Sequence, residues 1–435
     1  LREMGADSRV VLGIWERKWE FPARTNPSTL QSFKTSVMDT TPADSWQAGM
    51  AQVPINEAVE MQPGKATPHV PEPRKYLPGL NGLRTIAAGG ILIGHVYQIA
   101  GLMGYQKAGA LFHYFRFAGV NLFFVISGFL ITYILYNEKV TTGAINLLHF
   151  YKKRLLRIWP LYFFLLFVVF ALGAATPVYQ NFGRLDFWSL GMFALFLVNL
   201  NGLIPMSVSV LPHYWSLSVE EQFYIFWPLS LRKRNPILVC LVVMAVLFLL
   251  RNGCAYLSSR YHTPFLAALN EVLVITSFGS MAIGGLAGIG FQRKWAWLSV
   301  FKKNGVWLLC WVAALVLLSG KVYVPYINSE LQAVVFAGLI LGAVSRKRSF
   351  LDWKAMDRTG RISYGLYMYH WPLIPVLLLL LHKSSFSFLI TAWYSAPLVL
   401  LSFALTYAIA YLSYRYMELP IMRRSFIAKP ATAHS

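Results

Sequence analysis

Arg84 and His95 stand inside the first long apolar run of the chain, "LNGLRTIAAGGILIGHV" over residues 80–96. On a helix, eleven positions return to within roughly 20° of the same face, about 16 Å along the axis. Both side chains are therefore expected to look into one cavity or groove. Low-dielectric surroundings favour the neutral imidazole, the form a general base must take. A buried histidine can equally be a hydrogen-bonded packing residue, and an arginine near a helix end can snorkel to the headgroups. Arg84 is not needed as an anchor, because Arg74 and Lys75 already precede the run, and at mid-membrane it costs up to about 2.5–3.5 kcal/mol on insertion scales. Ala87, Ala88, Gly89, Gly90 and Gly94 leave room beside the histidine for another helix or a substrate.

A second group is acidic. Glu220 and Glu221 sit in "SLSVEEQFYIF", a segment otherwise suited to lipid. Acids in such segments face the protein interior and pair, so one reading is a salt bridge to an arginine such as Arg84 and the other is orientation of His95. Adjacent residues point about 100° apart, so only one of the two is expected to enter a site. A third group is basic. Arg154 and Arg157, with Lys153 beside them in "INLLHFYKKRLLRIW", are i and i+3 neighbours whose guanidinium groups can serve one polyanion. The bland alternative is a cluster that binds lipid phosphate from an amphipathic interfacial helix.

Other conspicuous residues take structural readings. His213, Tyr214 and Trp215 suit an aromatic belt better than a substrate platform. His370 in "MYHWP" is either packing or a second polar site residue, with Pro372 expected to bend the helix. Gly284, Gly285, Gly288 and Gly290 suit close helix contact rather than a dinucleotide loop. Ser127 and Gly128 lack a nucleophile elbow and are assigned to packing. Cys240, Cys254 and Cys310 are too dispersed for a metal site or disulfide framework.

These residues need a scaffold, and composition says which. Of 435 residues 56% are hydrophobic and 13% charged, with a mean hydropathy of +0.50; this is too apolar for a soluble domain of that size. An all-α, polytopic membrane helix bundle follows. Spans of roughly 20 apolar residues are expected at about 82–103, 117–136, 158–175, 213–231, 236–252, 268–290, 304–320, 330–345, 362–382 and 391–414, about ten transmembrane helices in all. An eleventh piece, "FWSLGMFALFLVNLNGLI" at 187–204, is settled by charge. If it does not cross, 23 lysines and arginines fall on one side of the membrane and seven on the other; if it crosses, that asymmetry is destroyed. It is therefore expected to be re-entrant or superficial, with both termini cytoplasmic. Arg415 is expected to snorkel.

Residues 1–73 hold seven basic and nine acidic residues with eight prolines, so the rest of the chain carries about +23. Residues 1–75 are expected to form a disordered or weakly ordered cytoplasmic tail and residues 425–435 a short cytoplasmic tail, with the membrane domain over 76–424 between them. Because the chain begins at Leu1, Met38 and Met50 are candidate true starts.

Five words in order, "GLNGLRTIAAGGILIGHV", "GVNLFFVISGFLITYIL", "FYKKRLLRIWPLY", "HYWSLSVEEQFYIFWPL" and "ISYGLYMYHWPL", resemble the acyltransferase 3 family of integral membrane O-acyltransferases. The resemblance covers about residues 76–424. It implies that His95 is the base that takes the proton from an acceptor hydroxyl, and that Arg84 binds or orients a substrate or stabilises developing negative charge. It implies that Arg154 and Arg157 bind the phosphates of acyl-CoA, acetyl-CoA in the simplest case, with Lys153 expected beside them; for Glu220 or Glu221 the residues alone leave orientation of His95 or the acceptor open beside the salt bridge. The implied acceptor is a cell-surface carbohydrate or a related hydroxyl compound, the setting a bacterial inner (plasma) membrane, with no metal and no nucleic acid involved. A secondary transporter is the rival class. Its charges and re-entrant piece would fit, but the halves show no internal repeat.

Overall fold

In the computed structural model each long apolar run forms helix, and the described residues contain no strand. The structure describes residues 77–102, 110–175, 186–206, 211–320, 322, 324, 327–385, 389 and 396–424. The expectations for the tails 1–75 and 425–435 and for Met38 and Met50 lie outside them.

The helices are α1 (Leu80–Leu102), α2 (Ala110–Thr142), α3 (Leu147–Ala175), α4 (Phe187–Ala194), α5 (Tyr214–Lys233), α6 (Pro236–Tyr261), α7 (Pro264–Ile275) and α8 (Phe278–Gln292). After a 3₁₀ segment at Ala296–Lys302 come α9 (Asn304–Leu318), α10 (Asn328–Val344), α11 (Lys354–Arg361), α12 (Ser363–His382), α13 (Ala396–Ser413) and α14 (Leu419–Arg424). Local signals set several boundaries. Asn235 accepts the Ile237 amide and Pro236 opens α6, the expected start chemistry. His262, left-handed at φ 50°, ends that helix, and Pro264 opens the next. Ahead of α1, Gly79 has φ +72°, and its amide donates to Asp352 at 2.7 Å.

Close backbone approach builds the centre. A Cβ on Gly128 of α2 would run into the Met281 carbonyl of α8, and one on Gly284 would run into the Val125 carbonyl. The two helices therefore touch backbone to backbone, as small residues permit where lipid removes a hydrophobic drive between helices. α1 packs on the same α2, and α12 packs on α1. The most apolar windows of α2 and α12 are each 72% buried, against 17% for α6. An apolar helix left so open faces lipid, and the chain is an integral membrane protein.

Among the described residues, seven spans are long and apolar enough to cross a membrane, and the pair Ala296–Lys302 and Asn304–Leu318, bent by 77°, makes an eighth if taken as one. The expected count of about ten is not reached on length and apolarity. The two remaining candidates do form helices, but α10 has 17 residues and α5 carries Glu220, Glu221, Arg232 and Lys233. Residues 187–204 form no continuous span. Asp186 caps α4, Phe196 takes φ 55°, and a 3₁₀ turn follows at Val198–Leu200; eight helical residues reach only about 12 Å. Arg415 is exposed and donates to the Tyr411 hydroxyl at 3.4 Å.

Candidate active site

Helices α1, α2, α3, α5 and α12 line a cleft with about 750 Å³ of empty space, part of it open to solvent. Its polar wall carries Arg84, Arg154, Arg157, Glu220, Tyr224 and Ser127, and its apolar wall includes Phe123, Phe124 and Ile131. The i, i+3 spacing of Arg154 and Arg157 puts both on the cleft face of α3. Lys153, about 100° away around α3, is not on that wall. Arg84 is held from outside the cleft. Its Nη1 donates to Asn81 Oδ1 at 3.3 Å, Asn81 Nδ2 donates to Asp357 Oδ1 at 2.8 Å, and Asp357 pairs with Arg361 at 2.6 Å. The short helix α11 thus fixes the lower turn of α1.

Among the described residues, Glu220 is the one acid on this wall. Ser127 donates to one carboxylate oxygen at 3.1 Å and Tyr224 to the other at 2.8 Å, while the Arg154 guanidinium lies 5.1 Å from the centre of the Tyr224 ring. The salt bridge to Arg84, one of the two readings of this acid, is not formed; hydroxyls hold the carboxylate instead. Three guanidinium groups and one carboxylate leave the cleft with surplus positive charge. Glu221 points elsewhere. It is 6% exposed, accepts a 3.4 Å bond from Trp159 Nε1, and its other oxygen has no hydrogen-bond partner. Of the acidic pair, one enters the cleft, and it is Glu220.

His95 does not line this cleft, which corrects the expectation of a cavity shared with Arg84. The two residues share a helix face, but Arg84 meets the cleft with Arg154, Arg157 and Glu220, whereas His95 meets His370 and Trp371 of α12. His95 Nδ1 lies 2.8 Å from His370 Nε2, and the rings stack at 4.9 Å. Trp371 meets His95 edge-on at 4.9 Å. The Nδ1 of His370 bonds the Tyr367 carbonyl. A carbonyl only accepts, so this nitrogen carries the proton. In a neutral His370 ring, Nε2 then accepts and His95 Nδ1 donates. The basic lone pair of a neutral His95 is thereby assigned to Nε2.

His213 completes the cluster, 5.1 Å from His370 and 5.4 Å from Tyr367 between ring centres. At 2% exposure it is not part of an aromatic belt. The first turn of α5 is buried, with Tyr214 fully enclosed. Neither His213 ring nitrogen reaches a hydrogen-bond partner.

Tyr367 joins the cluster to the cleft. It lines the cleft, donates to the His213 carbonyl at 2.8 Å and shares a hydrogen bond with Ser216. Sequence reasoning left His213 and Ser127 in structural roles, raised His370 only as an alternative, and passed over Tyr367, Ser216 and Tyr224. The signal was there in the spacing. Tyr367, His370 and Trp371 fall at i, i+3 and i+4 on one face of α12, and Glu220 and Tyr224 at i, i+4 on α5. Among the described residues, no group of three or more His, Cys, Asp or Glu is arranged to hold a metal ion.

A family profile described as an acyltransferase domain (Acyl_transf_3) matches residues 77–415. The chain is similar to the O-acetyltransferase OatA of Staphylococcus aureus (strain NCTC 8325 / PS 47), 27% identical over 400 residues covering 81% of this chain and 58% of that protein. It is also similar to the peptidoglycan O-acetyltransferase OatA of Listeria monocytogenes serovar 1/2a (strain ATCC BAA-679 / EGD-e), 25% identical over 382 residues covering 81% of this chain and 57% of that protein. The chain therefore spans less than two thirds of the length of these relatives. No solved structure matches.

Proposed function

This chain belongs to the acyltransferase 3 family, and from that premise we propose that it is an O-acyltransferase moving an acyl group, acetyl in the simplest case, from cytoplasmic acyl-CoA to a hydroxyl of a cell-envelope carbohydrate. The observation that carries this reading is the division of labour along α1. Arg84 joins Arg154 and Arg157 in the cleft, a setting for the phosphates of the donor. One helix face further along, His95 is oriented by His370, where an activated hydroxyl is needed.

In the reaction, His95 Nε2 takes the proton of the acceptor hydroxyl as its oxygen attacks the thioester carbonyl carbon. The carbon–sulfur bond then breaks, the CoA sulfur leaves with the electron pair, and the imidazolium returns the proton to it. No net proton is gained or lost. His370 is a positioning residue in this scheme. The 11-residue separation on α1 assigns Arg84 to donor binding rather than to the oxyanion at His95, since about 16 Å is beyond direct contact. Glu220 keeps Tyr224 and Ser127 in place on the donor wall. The peptidoglycan named for the Listeria relative is the first acceptor to test. The charge asymmetry supports a cytoplasmic donor cleft with both termini on that side, and the bacterial relatives support a plasma-membrane setting.

Purified full-length protein given radiolabelled acetyl-CoA and peptidoglycan fragments tests the reading. Wild type should label the glycan, His95→Ala should not while still binding acetyl-CoA, and Arg154→Ala/Arg157→Ala should bind the donor about tenfold or more weakly. Label transfer surviving His95→Ala would remove the proposed base. Unchanged donor affinity in the double variant would return the arginines to a lipid-anchoring role.

A further inference from the structure

A second cleft, of about 380 Å³, lies on the other side of the first turn of α5. Pro212 and Trp215 line it, while His213 between them belongs to the histidine cluster and Ser216 lines the donor cleft. One helical turn therefore borders all three. The opposite wall comes from the 199–206 segment and from Glu271 and Ile275 of α7.

Glu271 is the feature that needs an explanation. It sits in "PFLAALNEVLVI", within the candidate span Pro264–Gln292. An acid in such a helix is costly unless it meets a partner or a polar cavity. Arg251, on the preceding helix, pairs with Glu330 instead at 2.9 Å. Among the described residues, no basic residue lines the second cleft. Beside Glu271 stands Gly202, where an added Cβ would come to 3.4 Å from a Glu271 carboxylate oxygen.

The other polar groups of the cleft divide into committed and available ones. Asn199 is committed: its amide donates to Gln222 and Thr276 and its carbonyl accepts from Gln222. Asn201 spends its carbonyl oxygen on the Met206 amide at 2.8 Å, which leaves its amide donors to the cleft. Trp215 offers a ring nitrogen donor and a half-buried ring whose inner edge packs on Phe124 at 6.1 Å. A carboxylate acceptor, two kinds of N–H donor and an aromatic face together match the edge-and-face chemistry of a pyranose ring, with hydroxyls around its rim and C–H groups on its faces.

We propose that this second cleft binds the carbohydrate acceptor, with Glu271 accepting from sugar hydroxyls, Asn201 and Trp215 donating to them, and the Trp215 ring covering one sugar face. The proposal rests on the acyl-transfer reading for its purpose, but its binding claim stands apart from any activity. It gives the acceptor an entrance separate from that of the donor, with the buried imidazole of His213 between the two sites.

The test is direct binding to the full-length protein in lipid nanodiscs, using chitotetraose and the peptidoglycan disaccharide N-acetylglucosaminyl-N-acetylmuramic acid as probes and acetyl-CoA as control. At least one sugar should bind wild type. Glu271→Gln and Trp215→Ala should each weaken sugar binding about tenfold, and Asn201→Ala about threefold, with acetyl-CoA affinity unchanged. Arg154→Ala/Arg157→Ala should show the reverse pattern. Thermal unfolding of each variant, together with Trp215→Phe, which keeps a ring, separates loss of a contact from loss of fold. Wild type that binds neither sugar, or Glu271→Gln and Trp215→Ala variants that bind it as wild type does, would overturn the proposal. Equal loss of sugar and acetyl-CoA binding in a stably folded variant would also overturn it, because the two sites would then not be separate. If His95→Ala fails to abolish transfer while the sugar pattern holds, the acyl-transfer scheme falls and the binding site stands.

Discussion

At the scale of single residues, His95 takes its meaning from His370. The 2.8 Å contact between their rings, backed by the Tyr367 carbonyl, fixes which nitrogen of His95 is basic. Replacing His370 by alanine should lower kcat about 10²-fold with KM for acetyl-CoA unchanged. His370→Gln, whose amide oxygen can accept in place of Nε2, should recover a large part of that loss. A purely packing role predicts instead that both variants lose stability and activity together, so thermal unfolding beside the kinetics separates the two. Type and spacing singled out Arg84 and His95 on one face of α1, but not that they meet different surroundings. Their partners were not legible, because His370 lies 275 positions away in the chain and only tertiary packing brings its ring onto His95. His213 was misread for the opposite reason. An aromatic, partly polar word at a helix start suits a membrane interface as well as a buried cluster, and the two differ only in what packs over it.

At the scale of elements, the α2–α8 contact is the constraint on which the site depends. Both Ser127 and Gly128 belong to the same turn of α2, so the helix that delivers a hydroxyl to Glu220 also presses its backbone on Met281. Gly284→Ala should force α8 off α2 and cost about 1–3 kcal/mol, read as a lower unfolding temperature in detergent. Gly253, with no atom near its missing Cβ, is the control and should tolerate alanine. The glycine-rich word "IGGLAGIG" announced such a contact, and so did the apolar runs announce their helices. The count of spans was less legible because it depends on thresholds that α5 and α10 straddle. α5 buries two carboxylates against protein rather than lipid, which hydropathy alone cannot distinguish from a loop.

At the scale of the whole membrane part, the positive-inside asymmetry and the non-crossing 187–204 piece make one joint prediction. In a background without native cysteines, Ser259→Cys should react with a membrane-impermeant maleimide on intact cells, and Lys347→Cys should react only after lysis. The opposite pattern would invert the topology, and equal labelling would reject it. The gathering of Arg84, Arg154 and Arg157 around the single carboxylate of Glu220 has a kinetic consequence. Like charges held together in a half-buried cleft repel, and a phosphate-bearing guest relieves that repulsion. With acyl-CoA as the proposed donor, spent CoA keeps every phosphate and differs only at its sulfur, so the cleft has little electrostatic means of telling product from reactant. Turnover should then be governed by the departure of CoA: added free CoA should inhibit competitively against acetyl-CoA with an inhibition constant close to the donor's own dissociation constant.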